Sequence, residues 1–282
     1  MAWSPSSVRD FQLCPRLWWL KRQRVSARVS TVWSPGNIAG VAFHKGMEAF
    51  VCGEGDDEGV AEAVQKALEL GDYPIGTDYE EREKIQYAVT RAVPLAHLEI
   101  GVKSMGGVEH VLGCEVHLGG PLEEAARHGR YAGTADLITE DDDGLIVTDY
   151  KTHWKRDAKY SDEELRETQR SWQLKQYAWF AQEKYQKKVT RVRKVLVYFT
   201  PALKVWSYTH PVSGLDLLNW YRQAETVWNQ MDDFTSLHVD PDAIPRNGDA
   251  CERYGWQWRC GMYHICWDGE EIATDAIRDP NR

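Results

Sequence analysis

Apolar runs long enough to cross a bilayer are missing: nowhere do the 282 residues approach the roughly 20 uninterrupted apolar positions of a spanning helix. The opening MAWSPSSVRDF has no apolar stretch of secretory type, which predicts a cytoplasmic protein with no membrane partner. Excess positive charge is missing too, with 34 Lys and Arg against 43 Asp and Glu and a net charge of −9. Sequence-independent affinity for nucleic acid grows with the number of phosphates neutralised, so any such contact must come from local patches. Cysteine is sparse: six in a chain this long exclude a disulfide scaffold, and in a reducing compartment a cysteine cluster reads better as a metal site. Internal repeats and low-complexity tracts are also lacking, and 43% hydrophobic residues suffice for one globular core.

Against that background two basic clusters stand out. One holds Arg16, Lys21, Arg22 and Arg24, the other Lys184, Lys187, Lys188, Arg191, Arg193 and Lys194; a solvated helix face explains either as well as a phosphate contact does. Ser4-Pro5-Ser6 reads as a capped helix start, with Pro15 after Cys14 marking a break or a second start. Helical spacing predicts an amphipathic helix over 37–51 carrying His44, then helices over 59–70 and 80–102, the last interrupted by Pro94, as a lid or outer layer. Alternating runs over 110–118, 130–139 and 144–152 predict a β-meander. A long helix over 162–185, strands over 194–200 and 205–211 and a Trp-rich helix over 215–233 follow, and 240–249 reads as a linker.

Chemistry concentrates in the segments Gly133-Thr134-Ala135-Asp136 and Asp149-Tyr150-Lys151. Side chains alternate along a strand, so Asp149 and Lys151 share a face and Tyr150 points away. A turn at Asp142-Asp143 sets Asp136 opposite Asp149, and a turn at Asp143-Gly144 sets it opposite Lys151; either register gathers all three. Paired carboxylates suit a hard divalent cation, and a neighbouring lysine can orient or deprotonate an attacking water. Alone, the motif is as readily a surface hairpin with a solvated Asp and Lys. Downstream, Gln173 and Tyr177 lie four residues apart on one helix face, where they can touch a phosphate or base; packing with Trp172, Trp179 and Phe180 accounts for Tyr177 equally well.

Together these elements resemble the catalytic core of PD-(D/E)XK nucleases, RecB-like branch. The resemblance implies a restriction-endonuclease-like α/β fold, a central mixed β-sheet flanked by helices with an N-terminal helical region. It implies that His44, Asp136 and Asp149 hold Mg2+ or Mn2+, that Lys151 and Gln173 complete the catalytic set, and that Gln173, Tyr177 and Arg16 meet substrate. Glu115 resembles the acidic residue that often precedes the Gly-x-x-Asp element, with a supporting or structural role. Cys14 near the start and Cys251, Cys260 and Cys266 near the end resemble the split cysteine set of cluster-bearing relatives, including AddB and the CRISPR-associated exonucleases. That implies a 4Fe-4S cluster stapling a C-terminal cysteine segment to Cys14. Thiolates select iron-sulfur or zinc alike, so a zinc site is the rival, and the eight residues between Cys251 and Cys260 depart from the commoner spacing. Cys52 and Cys114 fit neither pattern and are expected to be free, buried thiols.

The expected organisation is one nuclease domain over 1–282, with a mainly helical part over 1–107, the core over 108–234 and the cysteine segment over 235–282. The expected activity is a metal-dependent DNA exonuclease acting on single strands or free ends in recombination, repair, phage DNA processing or CRISPR adaptation. Helicase, recombinase or CRISPR adaptation proteins are the implied partners. Two rivals are a non-catalytic DNA-end-binding module and an iron-sulfur redox sensor built on the same scaffold; a complete Asp, Asp, Lys set counts against the first.

Overall fold

A computed structural model describes residues 4–22, 35–53, 57–70, 79–103, 109–119, 132–155, 162–236 and 244. The chain divides into two compact units, one made of Met1–Thr31 with Arg222–Arg282, the other of Val32–Tyr221.

In the first unit, helix α1 (Pro5–Leu13) starts where the sequence predicts, the Ser4 side chain accepting from the Ser7 amide. Pro15 has no amide to donate and opens a second helix, α2 (Pro15–Arg22), leaving Cys14 at the junction. Trp18 stacks edge-on against Phe11 at 5.2 Å and donates its indole N–H to Ser7. Cys14 is buried at 6% exposure. Cys251, Cys260 and Cys266 lie outside the described residues, as does Arg24.

The second unit is built around helix α3 (Pro35–Cys52), followed by α4 (Asp57–Leu70) and α5 (Tyr79–Lys103). Rather than forming a lid, these helices supply one side of the main core: Phe43, Met47, Val60, Val64, Ile85, Val89 and Val93 pack with Leu137, Tyr150, Val195 and Val197 of the sheet. Pro94 does not interrupt α5, because its neighbours Ala92, Val93 and Ala96 are wholly buried and the packing outweighs one lost backbone bond. Helix α3 comes close to its neighbours at two glycines. A Cβ on Gly40 would stand 2.9 Å from Thr152 Oγ1, and one on Gly46 would stand 2.8 Å from Val93 Cγ2.

Strands β1 (His110–Gly119), β2 (Ala132–Asp141) and β3 (Gly144–Lys155) form the predicted meander; β4 (Val189–Thr200) and β5 (Lys204–Pro211) complete a five-stranded sheet in the order 1-2-3-4-5. All pairings are antiparallel except β3 with β4, so the sheet is mixed. A parallel neighbour needs a crossover, and two helices provide it: α6 (Asp162–Arg170) and α7 (Trp172–Tyr185). The single helix expected over 162–185 is broken at Ser171, whose non-helical backbone lets its hydroxyl cap α7 by accepting from the Leu174 amide. Helix α8 (Gly214–Ser236) ends the described elements. The architecture is the restriction-endonuclease-like α/β core read from the sequence, and no helix among the described residues is long and apolar enough to cross a membrane.

Candidate active site

The β2–β3 turn falls at Asp142-Asp143, since Asp141 pairs with Gly144 and Leu137 with Thr148, which selects the register that sets Asp136 opposite Asp149. On the other side, Cys114 pairs with Leu137 and Val116 with Ala135, so the residue facing Asp136 from β1 is Glu115. Asp149 in turn pairs with Lys194 of β4. One level of the sheet therefore carries the row Glu115, Asp136, Asp149, Lys194. The ladder yields at this level. Glu115 takes a positive φ of 47°, a conformation uncommon for a residue with a Cβ, and Asp136 accepts the Tyr150 amide on its own carboxylate at 2.6 Å.

Tyr150 points to the opposite face, buried against Phe43 of α3 at 5.7 Å between ring centroids. That contact and the close approach at Gly40 bring α3 onto the strand, and His44 follows. Its Nδ1 lies 3.3 Å from Glu115 Oε1 and 3.5 Å from Asp136 Oδ1. His44, Glu115 and Asp136 each offer a ligand atom, and these atoms all lie within 4.8 Å of one another. Two carboxylates and an imidazole form a donor set suited to Mg2+ or Mn2+. Of the three expected metal ligands, His44 and Asp136 belong to this group. Asp149 stands beside it, its Oδ1 accepting from Lys151 Nζ at 2.9 Å.

Lys151 also donates to Gln173 Oε1 at 3.3 Å, and Gln173 donates to the Tyr177 hydroxyl at 2.9 Å. The ammonium is thus held from two sides while its side chain keeps 42% exposure, whereas Asp149 is at 4%. Tyr177 is buried, as the packing reading of this residue expects, and its hydroxyl is held by Gln173. Arg16, expected to meet substrate, lies in the first unit and is buried.

Electrostatics follow from the crowding. Burial pushes the Asp136 carboxyl up; His44 opposes that, Asp149 adds to it, and the Tyr150 amide and Lys151 pull it back, leaving it at about 7. For His44, burial acts downward, but the Glu115 hydrogen bond and the charges of Asp136, Glu115 and Asp149 outweigh it and hold the imidazole above its ordinary value. A proton shared among such groups is what a divalent cation displaces on binding.

Four of the six residues of the second basic cluster are held in ion pairs. Arg191 bonds Asp141, Lys187 bonds Glu140 at 2.7 Å, Arg193 makes two bonds to Glu109 and Lys194 pairs with Glu164 at 2.8 Å. Cys52 and Cys114, expected to be free and buried, are neither: they are disulfide-bonded across 62 residues, joining the end of α3 to β1, and Cys52 is exposed.

The sequence signature of the PD-(D/E)XK nuclease superfamily matches residues 2–266. The chain belongs to that superfamily. The nuclease fold recurs in a crystal structure of a proposed exonuclease from Eubacterium rectale, 13% identical, covering 90% of this chain and 88% of that one with a TM-score of 0.53. A structure of SSO0001 is 16% identical over 69% of this chain and 80% of that one, with a TM-score of 0.25. No curated protein matches.

Sequence reasoning gave Glu115 a supporting or structural role; the structure sets it with His44 and Asp136 in a group that could hold a metal ion. The signal was its place on the strand that precedes the hairpin, at the level of Asp136; the positive φ that turns it had no signal in the sequence.

Proposed function

We propose that the chain is a metal-dependent deoxyribonuclease of the RecB-like branch that degrades single-stranded DNA or DNA ends exonucleolytically, the whole chain acting as one nuclease domain. The observation that carries this is the juxtaposition of the carboxylates of Asp136 and Asp149, on one level of the sheet, with the ammonium of Lys151 two residues along the same strand, fixed by Asp149 and Gln173. Asp136, with His44, Glu115 and Asp149 around it, would hold the cation, which supplies charge neutralisation at the phosphodiester and an acidified water. Lys151 directs its remaining protons toward the attacking water and keeps it in line with the scissile bond. Gln173 keeps Lys151 from swinging into solvent, and Tyr177 keeps Gln173 in place. The attack cleaves a P–O bond and leaves a hydroxyl on the departing strand.

The experiment is degradation of labelled single-stranded and duplex DNA with Mn2+, Mg2+ or chelator, wild type beside Lys151→Ala and Asp149→Ala. Expected is metal-dependent degradation reduced about 100-fold or more in each variant. Undiminished activity in both variants ends the proposal, and preference for intact duplex circles ends its exonuclease part.

The four thiolates Cys14, Cys251, Cys260 and Cys266 are proposed to bind a 4Fe-4S cluster, a reading supported by their order along the chain and by Cys14 being a buried, unbonded thiol. Protein purified without oxygen should be brown with about four irons per chain; stoichiometric zinc in colourless protein would assign the zinc alternative.

A further inference from the structure

A cavity of about 810 Å3 opens beside the nuclease site, with Asp149, Lys151, Arg166, Glu167, Arg170 and Lys194 in its lining. It lies against α6 and the start of α7, reached from Asp149 in the direction of Lys194, whereas Glu115 and His44 stand on the Asp136 side of the row. Its volume is that of a site for a small ligand such as a nucleotide.

Charges in the cavity sort into satisfied and available ones. Asp149 is paired with Lys151, and Glu167 is shared with Lys194, which also holds Glu164. Arg166 and Arg170, one helical turn apart on α6, are exposed, and among the described residues no carboxylate pairs with either. The Arg166 Nε donates to the Asp162 carbonyl at 3.2 Å, fixing that side chain while leaving its terminal nitrogens available. In a protein of net charge −9, whose β4 cations are occupied by Asp and Glu, two such guanidiniums lining the cavity of the catalytic Lys151 mark an anion site.

We propose that Arg166 and Arg170 grip a phosphate of the DNA strand next to the scissile one, so that this cavity is where the strand is held for cleavage. Guanidinium forks match phosphate oxygens in geometry as well as charge. The inference rests on the nuclease reading and adds to it the residues that bind the strand. The phosphate is an internal diester or the monoester at a strand end, and both present anionic non-bridging oxygens to a guanidinium.

The test is fluorescence anisotropy with a labelled single-stranded oligonucleotide, in Ca2+ to suppress cleavage, across a salt series, together with steady-state cleavage in Mn2+. Wild type, Arg166→Ala/Arg170→Ala and Lys66→Ala/Lys84→Ala, which removes the same charge from α4 and α5, are compared. Expected is a Kd raised about tenfold or more in the arginine variant, with the salt slope reduced by roughly 1.4 for two lost contacts. KM should rise with kcat retained, unchanged thermal melting should accompany this, and the lysine variant should behave as wild type. A loss larger for 5′-phosphorylated or 3′-phosphorylated than for unphosphorylated ends assigns the terminal monoester; an equal loss assigns an internal diester. Equal binding by wild type and the arginine variant, or equal loss in the lysine variant, overturns the inference while leaving the nuclease reading intact. Wild type that neither binds nor cleaves DNA overturns both.

Discussion

At Asp136, burial and a second carboxylate one strand away resist ionisation, and a main-chain amide and two cations favour it; the balance leaves the carboxyl at about 7, against 3.8 for a free one. Between those values the folded chain binds a proton that the unfolded chain has released, so this site's stabilisation is fully present below the lower pKa and is lost as pH rises through the upper one. The raised His44 acts with the same sign. In chelator, wild type should therefore lose melting temperature relative to Asp136→Asn between about pH 4 and about pH 7. A gap between the two that stays constant with pH contradicts this. Glu115 touches His44 Nδ1 and faces Asp136, so Glu115→Gln should weaken Mn2+ affinity about 10-fold to 100-fold, read by calorimetric titration. Unchanged affinity would reduce Glu115 to a structural residue. Asp136, Asp149, Lys151 and Gln173 were legible in the sequence because strand alternation and helix periodicity fix which side chains share a face. The place of Glu115 on the preceding strand was legible too, but not the local backbone reversal that turns it, and the α6 arginines were not legible because they depend on how a crossover helix lies over the sheet.

Helix α3 matters at the scale of the element, because it delivers His44 only if it can lie close to α4, α5 and β3. A side chain at Gly46 would meet Val93 at 2.8 Å and Val64 at 3.0 Å, both in the wholly buried core. Gly46→Val should cost about 1–3 kcal/mol, overpacking outweighing the few tenths gained in helix propensity. A Cβ on Gly101, in the last turns of α5, would meet nothing within 4 Å, so Gly101→Ala should instead stabilise by about 0.5 kcal/mol. Thermal denaturation of both variants distinguishes packing from propensity, and a stabilised Gly46→Val would show that α3 is not held as described. The helix starts were legible where local chemistry sets them, as at Ser4 and Pro15, whereas the hairpin turn was narrowed to two registers of which the structure selects Asp142-Asp143. The break at Ser171 and the continuity through Pro94 were not, because tertiary packing decided each against the local pattern.

Across the whole molecule, charge and cysteine behave differently from what their spacing along the chain suggests. The basic run through β4 looked like a nucleic-acid patch or a solvated helix face; it is a strand whose cations are tied to acids from β2, α6 and the residue before β1, so it stiffens the sheet. Periodicity started this strand at Lys194 and so left Arg193, which lies within β4, outside it, with no sign of Glu109 beside it. Likewise Cys52 and Cys114, separated by two helices and dissimilar in local context, meet because α3 runs back along the sheet to β1. Their bond closes a 62-residue loop that contains α4 and α5 and ties the helix of His44 to the strand of Glu115. Closing a loop of that length removes unfolded-state entropy worth about 2–4 kcal/mol. The variant Cys52→Ser/Cys114→Ser, or wild type treated with a reductant, should thus melt at lower temperature, with the variant insensitive to reductant. Both ligand-bearing elements gain freedom when the bond is cut, so Mn2+ affinity should fall in the same samples. A melting temperature indifferent to reductant in wild type would mean that the α3–β1 junction is held by packing alone.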